Sequence, residues 1–352
     1  MAQVAKQDIR KLSLEAIQKF FVDNGDKAFR AKQVYEWLWK KSARKFDDMT
    51  NLSLSTRDLL KEHFEIKAVS IADAQFSNDK TVKYAMQLAD GNEVESVLIP
   101  ATDRITACVS SQVGCSLTCS FCATGYMDRK RNLDAAEIYD QVVHVAEEAQ
   151  KHFNRPLTNI VYMGMGEPLL NYKNMMESID WITSEKGLGM SPRRITVSTA
   201  GISKMITKLA DEEVKFRLAL SLHAANDEKR NKIMPINESN TLDILGKALK
   251  YFDEKTGNRI TLEYIVFHDF NDKLEDAEEL YQFAKQFPCR INIIEYNPIE
   301  NATFRNADKD AIDRFANYLE KKRMTVNVRR SRGKDIDAAC GQLAGKRKNE
   351  TT

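Results

Sequence analysis

The sequence predicts an α/β fold in which repeated β-α units wrap as a partial (β/α)6 barrel, preceded by a small helical domain and a β-hairpin extension. Three observations carry that expectation. Apolar residues recur every three or four positions through residues 8–65, the period shortens to two after Ala68, and beyond residue 104 short apolar runs alternate with amphipathic stretches about six times. Alternation of the last kind lays parallel strands side by side with helices as crossovers.

Taken in order, Leu14, Ile17, Phe20 and Phe21, then Val34, Trp37 and Leu38, mark helical faces, and Asp47-Asp48-Met49 opens a further stretch. Residues 1–66 are therefore expected to form a helical module with Tyr35, Trp37 and Trp39 in its core. Positions 1–68 carry 14 Lys or Arg against 10 Asp or Glu, a modest basic surplus that could also dock RNA. Over 67–103, Val69, Ile71 and Ala74, then Val82, Tyr84, Met86 and Leu88, alternate around an Asp90-Gly91 turn, and Val94, Val97 and Ile99 follow. Glu95 falls in this run, where an acid is ordinarily expected to face solvent. The barrel is expected over 104–330, with strands near 105–111, 159–163, 195–198, 218–223, 260–267 and 291–296. Helices are expected at about 133–151, 172–184, 203–211, 241–256, 273–286 and 308–321, leaving 331–352 as a C-terminal segment.

Composition narrows the class. With 352 residues and 43% hydrophobic content the chain can bury a real core in two or three domains. No run approaches the roughly 20 apolar residues of a membrane span. Four of the six cysteines crowd into residues 108–122 and no apolar signal segment opens the chain, which favours a reduced, cytoplasmic protein over a disulfide-stapled secreted one. The net charge of +2 hides ten Lys or Arg between 321 and 348 against Asp335 and Asp337. Such a strip suits phosphate contacts, or merely solvates a surface.

The crowded cysteines carry the chemistry. Cys115, Cys119 and Cys122 are spaced C-x3-C-x2-C after Gly114, so one turn can aim three thiolates at a point. Soft ligands of this kind suit zinc or iron-sulfur. Structural zinc wants four closed ligands, whereas three cysteines on a cubane leave one iron open for a substrate. No His lies between Ile66 and Leu133, and Cys108 sits seven residues upstream of Cys115. A zinc-bearing RNA-binding module without enzymatic activity is the alternative. In β-α barrels the C-terminal strand ends host the site. Those positions hold Gly164 to Pro168, Ser198 to Gly201, Ser221 to His223 and Tyr296 to Pro298. Glycines let a backbone approach a ligand, and the Glu167 carboxylate could accept from an ammonium group. His223 alone is equally a satisfied buried histidine, and Cys108 alone a small buried hydrophobe.

The cysteine loop, with Phe121 before its last thiol, resembles that of the radical S-adenosylmethionine (SAM) superfamily. Ser110 to Cys115, Gly164 to Asn171 (GMGEPLLN), Ser191 to Arg194, Met234 to Asn237 and Asp335 to Leu343 resemble the RlmN/Cfr family of radical SAM RNA methyltransferases, over nearly the whole chain. GMGEPLLN resembles the RlmN branch, which methylates C2 of an adenine in 23S rRNA and, in some members, tRNA; the Cfr branch methylates C8. The resemblance implies a [4Fe-4S] cluster on Cys115, Cys119 and Cys122 and two SAM molecules per turnover. It implies SAM contacts at Gly166, Glu167, Ser198, Ser221, Leu222, His223 and Asn297. It further implies that Cys340 is methylated on sulfur, that a deoxyadenosyl radical takes hydrogen from that methyl, and that the carbon adds to C2. Glu95 would then accept the C2 proton, and Cys108 would attack Cys340 to form a transient disulfide. Cys289 has no matching role. A flavodoxin- or ferredoxin-type electron donor, a monomeric state and no membrane partner are expected. A rival enzyme class, the glycyl-radical activases, shares the cluster and SAM but has no use for Cys340.

Overall fold

In the computed structural model, residues 6–345 are described, so Lys346, Arg347 and Lys348 of the basic strip lie outside the described residues. The N-terminal module holds β1 (Gln7–Asp8), α1 (Leu14–Asp23), α2 (Arg30–Tyr35), α3 (Leu54–His63) and β2 (Phe64–Glu65), with β1 and β2 paired in parallel. Ser13 caps α1 and Ser53 caps α3. The helix expected from Asp47 begins later: Phe46–Asp48 is one 3-10 turn, and the chain becomes α-helical only after the Ser53 cap.

Trp37 stays with its own module, its Nε1 donating to Asn51 and its ring lying under Lys41, but Trp39 faces a different neighbour from the one expected. Trp39 lies flat on Trp181, with ring centroids 4.3 Å apart, and edge-on to Tyr139, so it docks the module onto the following domain. Arg10 completes the joint through a two-pronged contact with Asp140 at 2.9 Å and a bond to the Lys67 carbonyl.

One ten-stranded sheet follows. Strands β3 (Ser70–Phe76), β4 (Val82–Gln87) and β5 (Glu93–Pro100) form the expected meander, and β5 pairs antiparallel with β6 (Ile105–Cys108). A short ladder of β7 (Gln112–Val113) and β8 (Arg131–Asn132) stands apart and leads into α4 (Ala135–Phe153). Then come β9 (Asn159–Tyr162), α5 (Tyr172–Thr183), β10 (Ile195–Thr199), α6 (Ser203–Asp211), β11 (Arg217–Ser221), α7 (Asp227–Ile233) and α8 (Leu242–Thr256). The chain ends with β12 (Ile260–Ile265), α9 (Leu274–Ala284), β13 (Cys289–Ile294), α10 (Lys309–Lys321) and β14 (Thr325–Arg329). The order is β14-β13-β12-β11-β10-β9-β6-β5-β4-β3, with β6 and β9 to β14 all parallel. Strand β14, within the basic strip 321–348, is a seventh parallel strand where six were expected; it is short and mostly exposed, and only Val326 and Val328 alternate in it.

The sheet does not close by strand pairing, yet it curls. Laid flat, ten strands at about 4.8 Å spacing would separate β14 from the β3–β4 turn by roughly 40 Å. The Gly333 N–H nevertheless reaches Asp79 in that turn at 3.0 Å, and Asp335 accepts from Ser77 and Asn78. Four residues past Arg329 span at most about 14 Å. The two edges must therefore approach one another, giving a partial barrel with a concave face.

Candidate active site

Alternation along the strands decides what the concave face carries. Register partners share a face, so Lys83, Val97 and Cys108 look the same way, and Glu95, two residues from Val97, joins them. The same parity brings Ser198, Ser221, Glu263 and Arg329 to a cavity also lined by Cys115, Cys119, Cys122, Gly166, Glu167, His223 and Cys340.

The three cysteines project from an excursion pinched at its base by the β7–β8 ladder. Gly114 turns the chain there with φ +74°, and a Cβ on it would lie 2.2 Å from the Asp128 carbonyl. Among the described residues, the one set of three or more His, Cys or carboxylate ligand atoms lying within 4.8 Å of one another is His268, Asp269 and Asp272 on the surface, so the three sulfurs of the loop are more widely spaced than that. Zinc-sulfur bonds of about 2.3 Å would draw sulfurs to roughly 3.8 Å apart. The loop suits a larger group than a single ion. Burial raises all three thiols, Cys115 to about 11, and a positive centre beside them would lower them again.

Beside the loop, Gly166 has φ +91°, and a Cβ would meet the Gln112 side chain at 2.5 Å. Gln112 accepts from the Glu167 N–H at 2.8 Å, which ties the β9 turn to the cysteine loop. The buried Glu167 carboxylate accepts from Leu169 N–H at 3.0 Å and Ala200 N–H at 2.8 Å, yet burial pushes it up to about 7. The Thr199 hydroxyl also bears on this carboxylate, which leaves one of its oxygens with a lone pair for a ligand in the cavity. Ser198 and Ser221 hydroxyls stand 3.3 Å apart. His223 sits at φ 56°, and its Nδ1 accepts from Ile265 N–H at 3.1 Å, which leaves the proton on Nε2. Burial and then Arg230 push its pKa down to about 3, so the ring is a neutral donor.

Leu222 is buried and its carbonyl accepts from Arg230, while Asn297 donates to the Cys340 carbonyl at 3.1 Å and keeps a buried Oδ1 without a hydrogen-bond partner, free for a ligand. Asn297 holds the C-terminal loop in place.

That loop is the other half of the site. Ala123 N–H donates to the Gly341 carbonyl at 2.7 Å and the Thr124 hydroxyl to the Leu343 carbonyl at 2.6 Å, so the tail is laced to the cysteine loop. Cys340 keeps accessible surface although it is deeply placed, because that surface opens onto the cavity. Burial raises its thiol, Arg329 opposes this, and the charge of Cys122 reaches it. Cys108, pushed up to about 12 by burial, feels Cys340 in turn. All six cysteines are free. Cys289 packs at the start of β13 against the Ala284 carbonyl.

Glu95 departs from the solvent-facing position expected of a strand acid. It is 2% exposed, pairs with Lys83 at 3.1 Å, and accepts from the N–H groups of Ala344 at 2.9 Å and Gly345 at 3.1 Å. The tail that covers it lies some 250 residues away, which no local pattern reveals. Lys83, Glu263 and Arg329 were missed for the same reason. Glu263 accepts from Asn292 at 2.8 Å, stands 3.5 Å from Arg329, and has one oxygen without a hydrogen bond. Other residues of the sequence motifs do structural work. Asn237 accepts from the buried Arg230, whose other nitrogens hold the Ala200, Ser221 and Leu222 carbonyls, and Asn171 holds those of Ser111 and Leu133.

Comparison with known proteins agrees with this geometry. Residues 7–66 match the ribosomal RNA large subunit methyltransferase N-terminal domain, and residues 109–284 match the radical SAM superfamily. A dual-specificity RNA methyltransferase RlmN of Cytophaga hutchinsonii is 63% identical over 342 residues, covering 97% of this chain and 94% of the relative. The RlmN of Geobacter sulfurreducens is 43% identical, covering 96% and 92%. The crystal structure of a radical SAM methyltransferase from Sphaerobacter thermophilus superposes with a TM-score of 0.91 at 38% identity, covering 97% of this chain and all of that one. With its three-cysteine loop, its tail thiol in the same cavity and these relatives along its whole length, the chain belongs to the RlmN family of radical SAM RNA methyltransferases.

Proposed function

We propose that the protein methylates C2 of an adenine in 23S rRNA and tRNA, using Cys340 as the carrier of the one-carbon unit. One observation carries this reading: Cys340 lines the same cavity as Cys115, Cys119 and Cys122. Cys115, Cys119 and Cys122 would hold the [4Fe-4S] cluster, and Gly166, Glu167, Ser198, Ser221, Leu222, His223 and Asn297 would bind SAM, with two SAM molecules used per turnover. When bound, cluster and SAM supply an electrophilic methyl and one-electron hydrogen abstraction. Everything else falls to the chain's own side chains.

Adenine C2 is an electron-poor carbon that a polar methyl donor does not attack, whereas sulfur is a good nucleophile. Cys340 takes the methyl on its sulfur, with Arg329 favouring the thiolate. Joining carbon to C2 leaves an unpaired electron that the oxidised cluster would take back. Glu95 accepts the C2 proton, the Cys108 thiolate attacks the Cys340 sulfur to form the disulfide, and the departing methylene carbon takes up a proton to become the methyl group. That Glu95 shares the concave face with Cys108 supports this role. A flavodoxin- or ferredoxin-class donor supplies electrons, and the protein works as a cytoplasmic monomer. Among the described residues no helix is long and apolar enough to cross a membrane.

Peptide mass analysis after incubation with SAM tests the carrier: one added methyl on the Cys340 peptide is expected, and an unmodified thiol refutes it. Nucleoside analysis of RNA from cells lacking the gene tests the product. Loss of 2-methyladenosine supports the reading, and loss of 8-methyladenosine moves it to the Cfr-type reaction.

A further inference from the structure

Four strands bring Ser198, Ser221, Glu263 and Ile294 to the cavity, and four residues before each stands an arginine: Arg217 and Arg290 on β11 and β13, and Arg194 and Arg259 immediately before β10 and β12. Residues four apart on a strand share a face and lie about 13 Å from one another. Parallel register sets the arginines in neighbouring strands, with Arg217 beside Thr196 and Arg290 beside Thr261, and Leu218 N–H bonded to the Arg259 carbonyl. Four guanidinium groups therefore gather on the concave face, at the end opposite the cysteine loop. Arg194, Arg259 and Arg290 are exposed and Arg217 is half-buried.

No counter-charge accompanies them. Among the described residues none of the four makes a side-chain hydrogen bond or ion pair. Arg217 is pressed by burial and then by Arg259, Arg194 and Arg290, with no carboxylate acting on it, and Arg290 presses likewise on Arg259. Surface arginines are ordinarily interleaved with acids, and converging like charges destabilise the folded chain. An anion bound among them would remove that repulsion, and the planar, bidentate guanidinium is suited to phosphate oxygens.

We propose that Arg194, Arg217, Arg259 and Arg290 form a second anchoring site for the phosphate backbone of the RNA substrate, at the end of the barrel away from the reacting base. The proposal rests on the reading of the chain as an RNA methyltransferase and adds where the strand is held.

The test compares reconstituted holoenzyme with an Arg217→Gln/Arg259→Gln variant. Binding of an RNA transcript bearing the reactive adenine is measured from about 50 to 300 mM salt, since counterion release sets the slope. Loss of two phosphate contacts should lower the slope of log Kd against log salt by about 1.4 to 1.8 and weaken binding about ten-fold near 150 mM. Methylation of Cys340 by SAM without RNA should be unchanged, and urea unfolding should show a variant no less stable than its parent. An unchanged slope and Kd overturn the proposal. So does a variant that loses inorganic tripolyphosphate binding while keeping its RNA affinity, which would make this a site for a free oligophosphate. Failure of the RNA reading itself looks different, because neither protein would then produce 2-methyladenosine.

Discussion

Replacing Glu95 by Gln should separate two jobs that the carboxylate performs. Its charge holds Lys83 in a place where the two side chains are 2% and 4% exposed, and its Oε2 accepts from the Ala344 and Gly345 N–H groups. Breaking a buried ion pair by removing one partner costs about 3–5 kcal/mol, because the other charge stays behind. The amide oxygen of Gln can still accept from the tail, but each bond falls from the charged class, worth about 1.5–3 kcal/mol, to the neutral class, worth about 0.5–1.5. The tail should thus loosen by about 2 kcal/mol, roughly 30-fold faster amide exchange at residues 344 and 345 if they open locally. Hydrogen exchange with peptide mass readout measures this, and urea unfolding measures the global loss. A Lys83→Met/Glu95→Gln double variant sharpens the test: global stability should recover toward the parent while tail protection stays low. Unchanged exchange at 344 and 345 in the single variant, or tail protection restored in the double variant, would refute the account of Glu95 as a clamp on the tail.

Other predictions follow from the same geometry. Cys108→Ala should leave Cys340 methylation intact but trap a covalent protein-RNA species, visible as a shifted band on denaturing gels, whereas Cys340→Ala should yield neither adduct nor methylated RNA. His223 is held neutral, with its pKa pushed from 6.5 down to about 3, so its contribution is full above about pH 6.5 and is lost as pH falls toward 3. At pH 5 this amounts to about 2 kcal/mol, and His223→Gln should flatten the dependence of the urea midpoint between pH 7.5 and 5 in reduced apoprotein. Trp39→Ala should cost about 3–5 kcal/mol through the cavity left against Trp181 and Tyr139, read as a lower denaturation midpoint.

Local chemistry explains which parts of the molecule were legible in the sequence. Helix starts were marked by their caps, as at Asp134 with Glu137 and at Asp308, and the β-α alternation located the parallel strands to within a few residues. The cysteine spacing revealed the loop because ligand convergence there depends on one short turn. What stayed hidden depends on distant partners. Strand β14 is a short, mostly exposed edge in which Val326 and Val328 alternate over only five residues among flanking basic ones, too brief a pattern to stand out. Glu95 and Lys83 looked like surface residues because the cover that buries them comes from the tail. Trp39 sat at helical spacing suited to its own module, and only the docked structure reveals Trp181 as its neighbour.

The parity of the sheet has a wider consequence for how this enzyme can go wrong. Reactive and apolar side chains occupy alternate positions on the same strands, Ser221 after Leu220 and Glu263 after Leu262. A slip of one residue in any strand would evict its greasy members and avert its chemical ones in a single stroke. A molecule that has hidden its oily residues correctly has therefore already aimed its reagents, and assembly needs no separate proofreading of the two.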